Sequence, residues 1–110
     1  MSFLLALLCI AASPLAAHAG QPAKPGASRV RTVVIEGLRF NPGRLVVSPG
    51  ERIEWTNRDP FPHTVTASDG RFDSHAIPAG GSWTYVARKP GEYDYTCTFH
   101  PTMKGVIVVR

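Results

Sequence analysis

Seven consecutive residues, Cys97-Thr98-Phe99-His100-Pro101-Thr102-Met103, place a thiol, an imidazole and a thioether at three-residue intervals. Those donors suit a soft or borderline metal better than any other chemistry. A second imidazole upstream, His63, brings the set to four. Two imidazoles, one thiolate and a weak thioether form the donor set associated with copper that cycles by one electron. Taken singly, each residue has an ordinary reading: His63 and His100 as loop histidines, Cys97 as a buried thiol, Met103 as core filler. Beyond residue 20 the chain holds only three histidines and one methionine, and their combination with Cys97 carries the inference. Zinc is the nearest competitor, but structural zinc sites favour paired cysteines or carboxylates and methionine is a poor zinc ligand. A Cys-His catalytic dyad fits less well, because no orienting third group accompanies it.

For these side chains to converge, the chain must turn back on itself between Cys97 and Met103. Pro101 favours this by fixing its own φ and restricting His100. His63 follows Pro60-Phe61-Pro62 and would reach the same place from a neighbouring strand end. The rest of the chain reads as the scaffold that holds both stretches. Apolar runs of four to eight residues, β-branched or aromatic and bounded by Gly or Pro, recur at 30–36, 45–48, 52–57, 63–67, 82–88, 92–97 and 104–109. Turn signals stand between them, among them Asn41-Pro42-Gly43, Pro49-Gly50, Asp69-Gly70 and Pro90-Gly91. The expected fold class is all-β, a two-sheet sandwich of about seven to eight strands with ligands gathered in loops at one end. Alternation sets the faces: Ile53, Trp55 and Asn57 on one side of their strand, and Tyr93, Tyr95 and Cys97 on the core side of theirs. Trp83 and Tyr85 read as core or near-core aromatics, and His75 as a surface histidine.

A chain of 110 residues with a net charge of +4 has room for one small core. The apolar run from Phe3 to Ala12, followed by Ala17-His18-Ala19, reads as a signal peptide over residues 1–19, too short for a membrane span. Cys9 falls within that segment, so the exported chain holds a single cysteine and no internal disulfide; in an oxidising compartment Cys97 must then be buried or bonded. Residues 20–29, rich in Gly, Pro and Ala, read as a flexible leader, and residues 30–110 as the folded domain. The basic residues are scattered rather than clustered, so no nucleic-acid partner is expected. Cleavage before His18 would instead expose an N-terminal histidine brace, a reading that leaves Cys97 and Met103 unexplained.

The segments Val47-Ser48-Pro49-Gly50-Glu51, Ile53-Glu54-Trp55-Thr56-Asn57, Pro62-His63-Thr64-Val65, Gly91-Glu92-Tyr93-Asp94-Tyr95-Thr96-Cys97 and His100-Pro101-Thr102-Met103-Lys104-Gly105 together resemble the cupredoxins. Two residues between Cys97 and His100, and two between His100 and Met103, place the resemblance in the short-loop amicyanin branch. The resemblance implies a Greek-key sandwich and one type I blue copper ion, with His63, Cys97 and His100 as equatorial ligands and Met103 as axial ligand. It implies that Asn57 braces the ligand loops. It further implies an electron carrier, not an enzyme, passing electrons between redox proteins such as a dehydrogenase and a c-type cytochrome; the signal peptide places it in the periplasm, and a monomer is expected. The imidazole edge of His100 would be the electron's port, ringed by Phe61, Pro62, Phe99 and Pro101. A copper storage or delivery protein would use the same ligands. Phe99 stands where amicyanins usually carry proline, so its N–H is free to donate toward the Cys97 sulfur.

Overall fold

The computed structural model describes residues 29–110 and the pair 11–12. The signal peptide expected over 1–19 and the leader over 20–29 lie, apart from residues 11–12 and 29, outside the described residues. Eight strands follow in order: β1 (Val30–Ile35), β2 (Phe40–Asn41), β3 (Arg44–Val47), β4 (Arg52–Asn57), β5 (Thr66–Ala67), β6 (Ser82–Val86), β7 (Gly91–Thr96) and β8 (Lys104–Val109). They form two four-stranded sheets in the orders β2-β1-β4-β6 and β3-β8-β7-β5. Each sheet is mixed, with one parallel pair, β1 with β4 and β3 with β8, among antiparallel neighbours. Among the described residues there is no helix, and none that could cross a membrane.

Alternation in the strands builds the core between the sheets. Val33 and Ile35 of β1, Ile53 and Trp55 of β4, Tyr93 and Tyr95 of β7, and Ile107 and Val109 of β8 are all buried. Each fully buried aliphatic side chain contributes roughly 1.5–3 kcal/mol. Strand β8, in the interior of its sheet between β3 and β7, reads as the continuous apolar run Val106-Ile107-Val108-Val109. Trp55 packs edge-on to Tyr95, with ring centroids 5.6 Å apart, and tilted against Trp83 at the same distance. Trp83 and Tyr85, from the edge strand β6, are half-buried against this core. His75 lies at the surface, its side chain 87% exposed.

Two features differ from the sequence expectation. The two residues of β2 pair with the end of β1, too short a strand to show a periodicity. The run expected over 63–67 is a ladder strand only at Thr66–Ala67; His63 instead makes an isolated bridge to Ile77, and Thr66 one to Asp73. Prolines on both sides explain the break: Pro60, Pro62 and Pro78 cannot donate to a ladder.

Far from the residue 97–103 loop along β4 and β8, the turn Ser48-Pro49-Gly50-Glu51 closes with Glu51 N–H donating to the Ser48 carbonyl at 3.1 Å. Pro49 and Gly50 suit a turn whose third residue needs positive φ, and Gly50 sits at 92°. The Glu51 side chain folds back to accept from Ser48 N–H at 2.8 Å and lies 3.6 Å from Arg31 Nη1. Burial opposes its ionisation, but the Ser48 amide and the Arg29 and Arg31 guanidinium groups outweigh that and hold its carboxyl below the usual range. A depressed folded-state pKa gives stability that is complete above the unfolded value of 4.5 and is lost as pH falls through the folded one. Glu51→Gln is therefore expected to flatten the acid limb of the stability curve measured by denaturant unfolding. An acid limb identical to that of the wild type contradicts this.

Candidate metal centre

The spacing of the residue 97–103 loop is the spacing of two successive turns. His100 N–H donates to the Cys97 carbonyl at 3.2 Å, and Met103 N–H donates to the His100 carbonyl at 2.9 Å. Cys97 N–H then donates to the Met103 carbonyl at 3.2 Å, closing the loop where β7 ends and β8 begins. A reversal every third residue returns Cys97, His100 and Met103 to one side. Cys97 continues the inward parity of Tyr93 and Tyr95 and is wholly buried; Met103 is 3% exposed, and His100 is partly exposed.

His63 arrives from the connection that crosses between the sheets from β4 to β5, fixed by paired hydrogen bonds with Ile77, His63 N–H to O at 3.1 Å and Ile77 N–H to O at 2.7 Å. Its ring is fully buried. The Cys97 Sγ lies 3.6 Å from His63 Nδ1 and 3.9 Å from His100 Nδ1, and one ligand atom from each of the three residues falls within 4.8 Å of the others. A tetrahedral ion bonded at about 2.0–2.3 Å sets its donors about 3.5 Å apart, so these three atoms stand at the right separation for one ion. Their chemistry, two imidazole nitrogens with a thiol sulfur, matches copper. Among the described residues no other group of three such side chains converges in this way. Cys97 is a free, buried cysteine.

Asn57 is buried at the end of β4 and its role is specific. Its Nδ2 donates to the carbonyls of Phe61 at 2.9 Å, Ile77 at 3.1 Å and Pro78 at 3.3 Å, while its Oδ1 accepts from Asp59 N–H at 3.0 Å. These bonds fix the segment before His63 and the one that pairs with it. The direct ties between the two ligand stretches come from a residue that sequence reasoning missed. Thr64 N–H donates to Cys97 Sγ at 3.3 Å, and Thr64 Oγ1 accepts from Thr98 N–H at 2.8 Å. Its position next to His63 was the available signal, but a backbone donor leaves no mark on residue type. The sequence expectation puts the Phe99 N–H at the sulfur; among the described residues the structure shows no such bond, and Phe99 is instead a half-exposed side chain at the loop tip. Thr64→Val, which keeps shape but removes the hydroxyl, is expected to cost about 0.5–1.5 kcal/mol by removing the acceptor of the partly exposed Thr98 N–H. Calorimetry of the copper-free protein tests it; a melting temperature equal to that of the wild type goes against it.

Asp59 is the second residue missed. It is buried, and its Oδ2 lies 2.7 Å from His63 Nε2, on the side of the ring opposite the sulfur. Burial alone disfavours its ionised form, yet hydrogen bonds from the Leu38 amide, the His63 ring and the Gly37 amide hold its carboxyl below the usual range. A carboxylate four residues before a histidine is too common a pattern to have been singled out.

Around His100 the surface is apolar. Phe61 is 37% and Phe99 51% exposed, and Pro60, Pro62 and Pro101 are exposed beside them. The Phe61 ring stands 5.2 Å from the His63 ring and 5.7 Å from the His100 ring, centroid to centroid, covering both.

This architecture and site agree with comparison to known proteins. The profile of the cupredoxin-like domain family matches residues 3–109. Amicyanin-alpha of Methylorubrum extorquens is 30% identical over 100 residues, an alignment covering 86% of this chain and 82% of the relative. Amicyanin of Paracoccus versutus is 28% identical over 83 residues, covering 71% of this chain but 63% of its own length. A solved structure of a reduced amicyanin carrying a tryptophan-to-tyrosine substitution superposes with a TM-score of 0.71 at 27% identity, covering 76% of this chain and 85% of that one. With eight strands in two mixed sheets, and His63 and the residue 97–103 loop meeting at one end, the chain belongs to the cupredoxin-like family.

Proposed function

We propose that this chain carries single electrons between larger redox proteins in the periplasm, as a monomer, with one type I copper ion held by His63, Cys97 and His100 and more weakly by Met103. The observation that carries the reading is the convergence of two imidazole nitrogens and the only thiol beyond residue 20 in a buried pocket of the sandwich. Bound there, copper supplies a one-electron couple, Cu(II)/Cu(I).

The chain's own residues do the rest. The closed turns at Cys97, His100 and Met103, together with the His63–Ile77 bridge, hold the donors in place before any metal arrives, so little rearrangement need accompany a change of charge. The Thr64 N–H stabilises the thiolate and draws charge from its sulfur, which favours the reduced state. Burial of His63, Cys97 and Met103 excludes water from three of the four donors. His100 alone reaches toward solvent, and its apolar surround, Phe61, Pro62, Phe99 and Pro101, suits brief contact with a partner, since redox encounters use small interfaces. By family likeness the partners are a dehydrogenase and a c-type cytochrome. The reading is of a carrier rather than an enzyme, in line with the amicyanins and plastocyanins that the chain resembles.

The test is to add Cu(II) to the purified domain and record visible and EPR spectra. Intense thiolate-to-copper charge transfer that survives a chelator supports the carrier. Colour that a chelator removes at once supports storage or delivery instead, and a colourless complex overturns both.

A further inference from the structure

A buried carboxylate, Asp59, stands behind His63 and is held from two sides. Gly37 and Leu38 both adopt left-handed backbone, with φ of 62° and 58°. They are the two central residues of the turn between β1 and β2, and their successive N–H groups point at one carboxylate, in the manner of the backbone nests that receive anions. That carboxylate is Asp59: Gly37 N–H donates to Oδ1 at 2.7 Å and Leu38 N–H to Oδ2 at 3.0 Å. Its own N–H is tied to Asn57 Oδ1, so the backbone beneath it is fixed as well. Oδ2 also faces His63 Nε2 at 2.7 Å, a short contact between two buried groups. Since the carboxylate is already held by two amides, it can only accept from the ring. The proton of a neutral His63 must therefore sit on Nε2, which leaves the Nδ1 lone pair aimed at the side where Cys97 Sγ lies 3.6 Å away.

The geometry points to Asp59 as the positioning residue of this centre: nested on Gly37 and Leu38, it fixes the His63 tautomer and ring, and places a negative charge one imidazole away from the metal. The inference rests on the copper reading above. A carboxylate bonded to the far nitrogen raises the basicity of a ligating histidine, and its charge stabilises the more highly charged oxidised ion. Losing it weakens metal binding and moves the couple toward reduction.

Leu38 gives the arrangement a second end. Its side chain is 45% exposed while its N–H shares the oxygen that His63 uses. The exposed turn and the ligand are thus one carboxylate apart.

The experiment compares wild type, Asp59→Asn and Asp59→Ala, each loaded with copper and each copper-free. Asparagine with its oxygen toward His63 keeps the shape and the acceptor for the ring but removes the charge and the acceptor of the Gly37 N–H; alanine removes the ring's acceptor as well. Both variants are expected to show a higher reduction potential by voltammetry. Asp59→Ala is expected to bind copper about 10- to 100-fold more weakly in competition with a chelator. In copper-free protein at alkaline pH, 15N shifts of the His63 ring are expected to report the Nε2–H form in wild type and a mixture of tautomers in Asp59→Ala. A role confined to the fold would lower the melting temperature and leave potential, affinity and tautomer alone. Folded variants with the wild-type potential and affinity overturn the inference, and Asp59→Asn decides it should Asp59→Ala fail to fold. A wild type that takes up no copper overturns the carrier reading instead, while the tautomer comparison still tests the Asp59 assignment.

Discussion

Replacing Gly105 with alanine is expected to destabilise the copper-free protein by about 3 kcal/mol, at the upper end of the usual penalty for overfilling a core. Gly105 is the partner of Tyr95 across β7 and β8. The Tyr95 ring lies directly over it, so a Cβ there would sit well inside van der Waals contact with Cζ and Oη and 2.7 Å from Cε1. The ring has nowhere to retreat. Phe40 meets it edge-on at 4.7 Å, Trp55 at 5.6 Å, and its residual exposure is 1%. The displacement would also reach the metal centre, because Cys97 lies two residues beyond Tyr95 and Met103 two residues before Gly105. Gly105→Ala should therefore broaden or weaken the copper absorption as well as lower stability.

A double-mutant cycle with Tyr95→Leu isolates the clash. If the mechanism is right, alanine at 105 costs much less once the ring is gone, and strictly additive losses would exclude it. Tyr95→Phe is the control for polarity. Its hydroxyl is buried without a hydrogen-bond partner of good geometry, the Trp55 indole being its polar neighbour, and burial pushes the phenol up to about 12. Removing that hydroxyl should cost little stability, because it makes no hydrogen bond of good geometry to lose and the buried Trp55 N–H beside it is unpaired already.

The second large effect is at Cys97. Cys97→Ser is expected to abolish the intense visible absorption of the copper-loaded protein while leaving the fold intact. Serine is nearly isosteric, and the buried position can still receive the Thr64 N–H that now meets sulfur at 3.3 Å. What disappears is the soft thiolate donor, and with it the charge-transfer transition. Copper affinity should fall steeply, since two imidazoles and a thioether remain. A Cys97→Ser protein that stays blue would remove the thiolate from the centre and require another origin for the colour. Far-UV circular dichroism of the same sample separates loss of the ligand from loss of the sandwich.

Much of this was legible in the sequence because it rests on local alternation. The parity of Ile53, Trp55 and Asn57, and of Tyr93, Tyr95 and Cys97, predicts which side chains are buried, and all six are. The two-and-two spacing of the ligand loop likewise anticipates a reversal, found as two linked turns. What was not legible depends on pairing between distant segments. The parallel neighbours β1 with β4 and β3 with β8 carry no local signature, and β2 is too short to have one. The same limit hid the supports of the site. Thr64 acts through its backbone N–H and through a hydroxyl that meets the distant Thr98 N–H, and Asp59 through a turn formed more than twenty residues earlier at Gly37 and Leu38. Phe99 illustrates the converse: its free N–H is plain from residue type, but where that N–H points is set by the turn, and the structure gives the sulfur to Thr64.

The position of β8 bears on when the site can exist at all. This final strand is interior to its sheet, hydrogen-bonded to β3 on one side and β7 on the other, and the ligand loop is the connection that leads into it. During synthesis the chain cannot close that sheet until Lys104–Val109 is free to pair. Until then the Cys97 thiol has no β8 beside it and lies open to oxidation or to stray metal. Closure of the ligand loop thus waits on the pairing of β8, whose place between β3 and β7 makes the loop one of the later parts of the sandwich that can form.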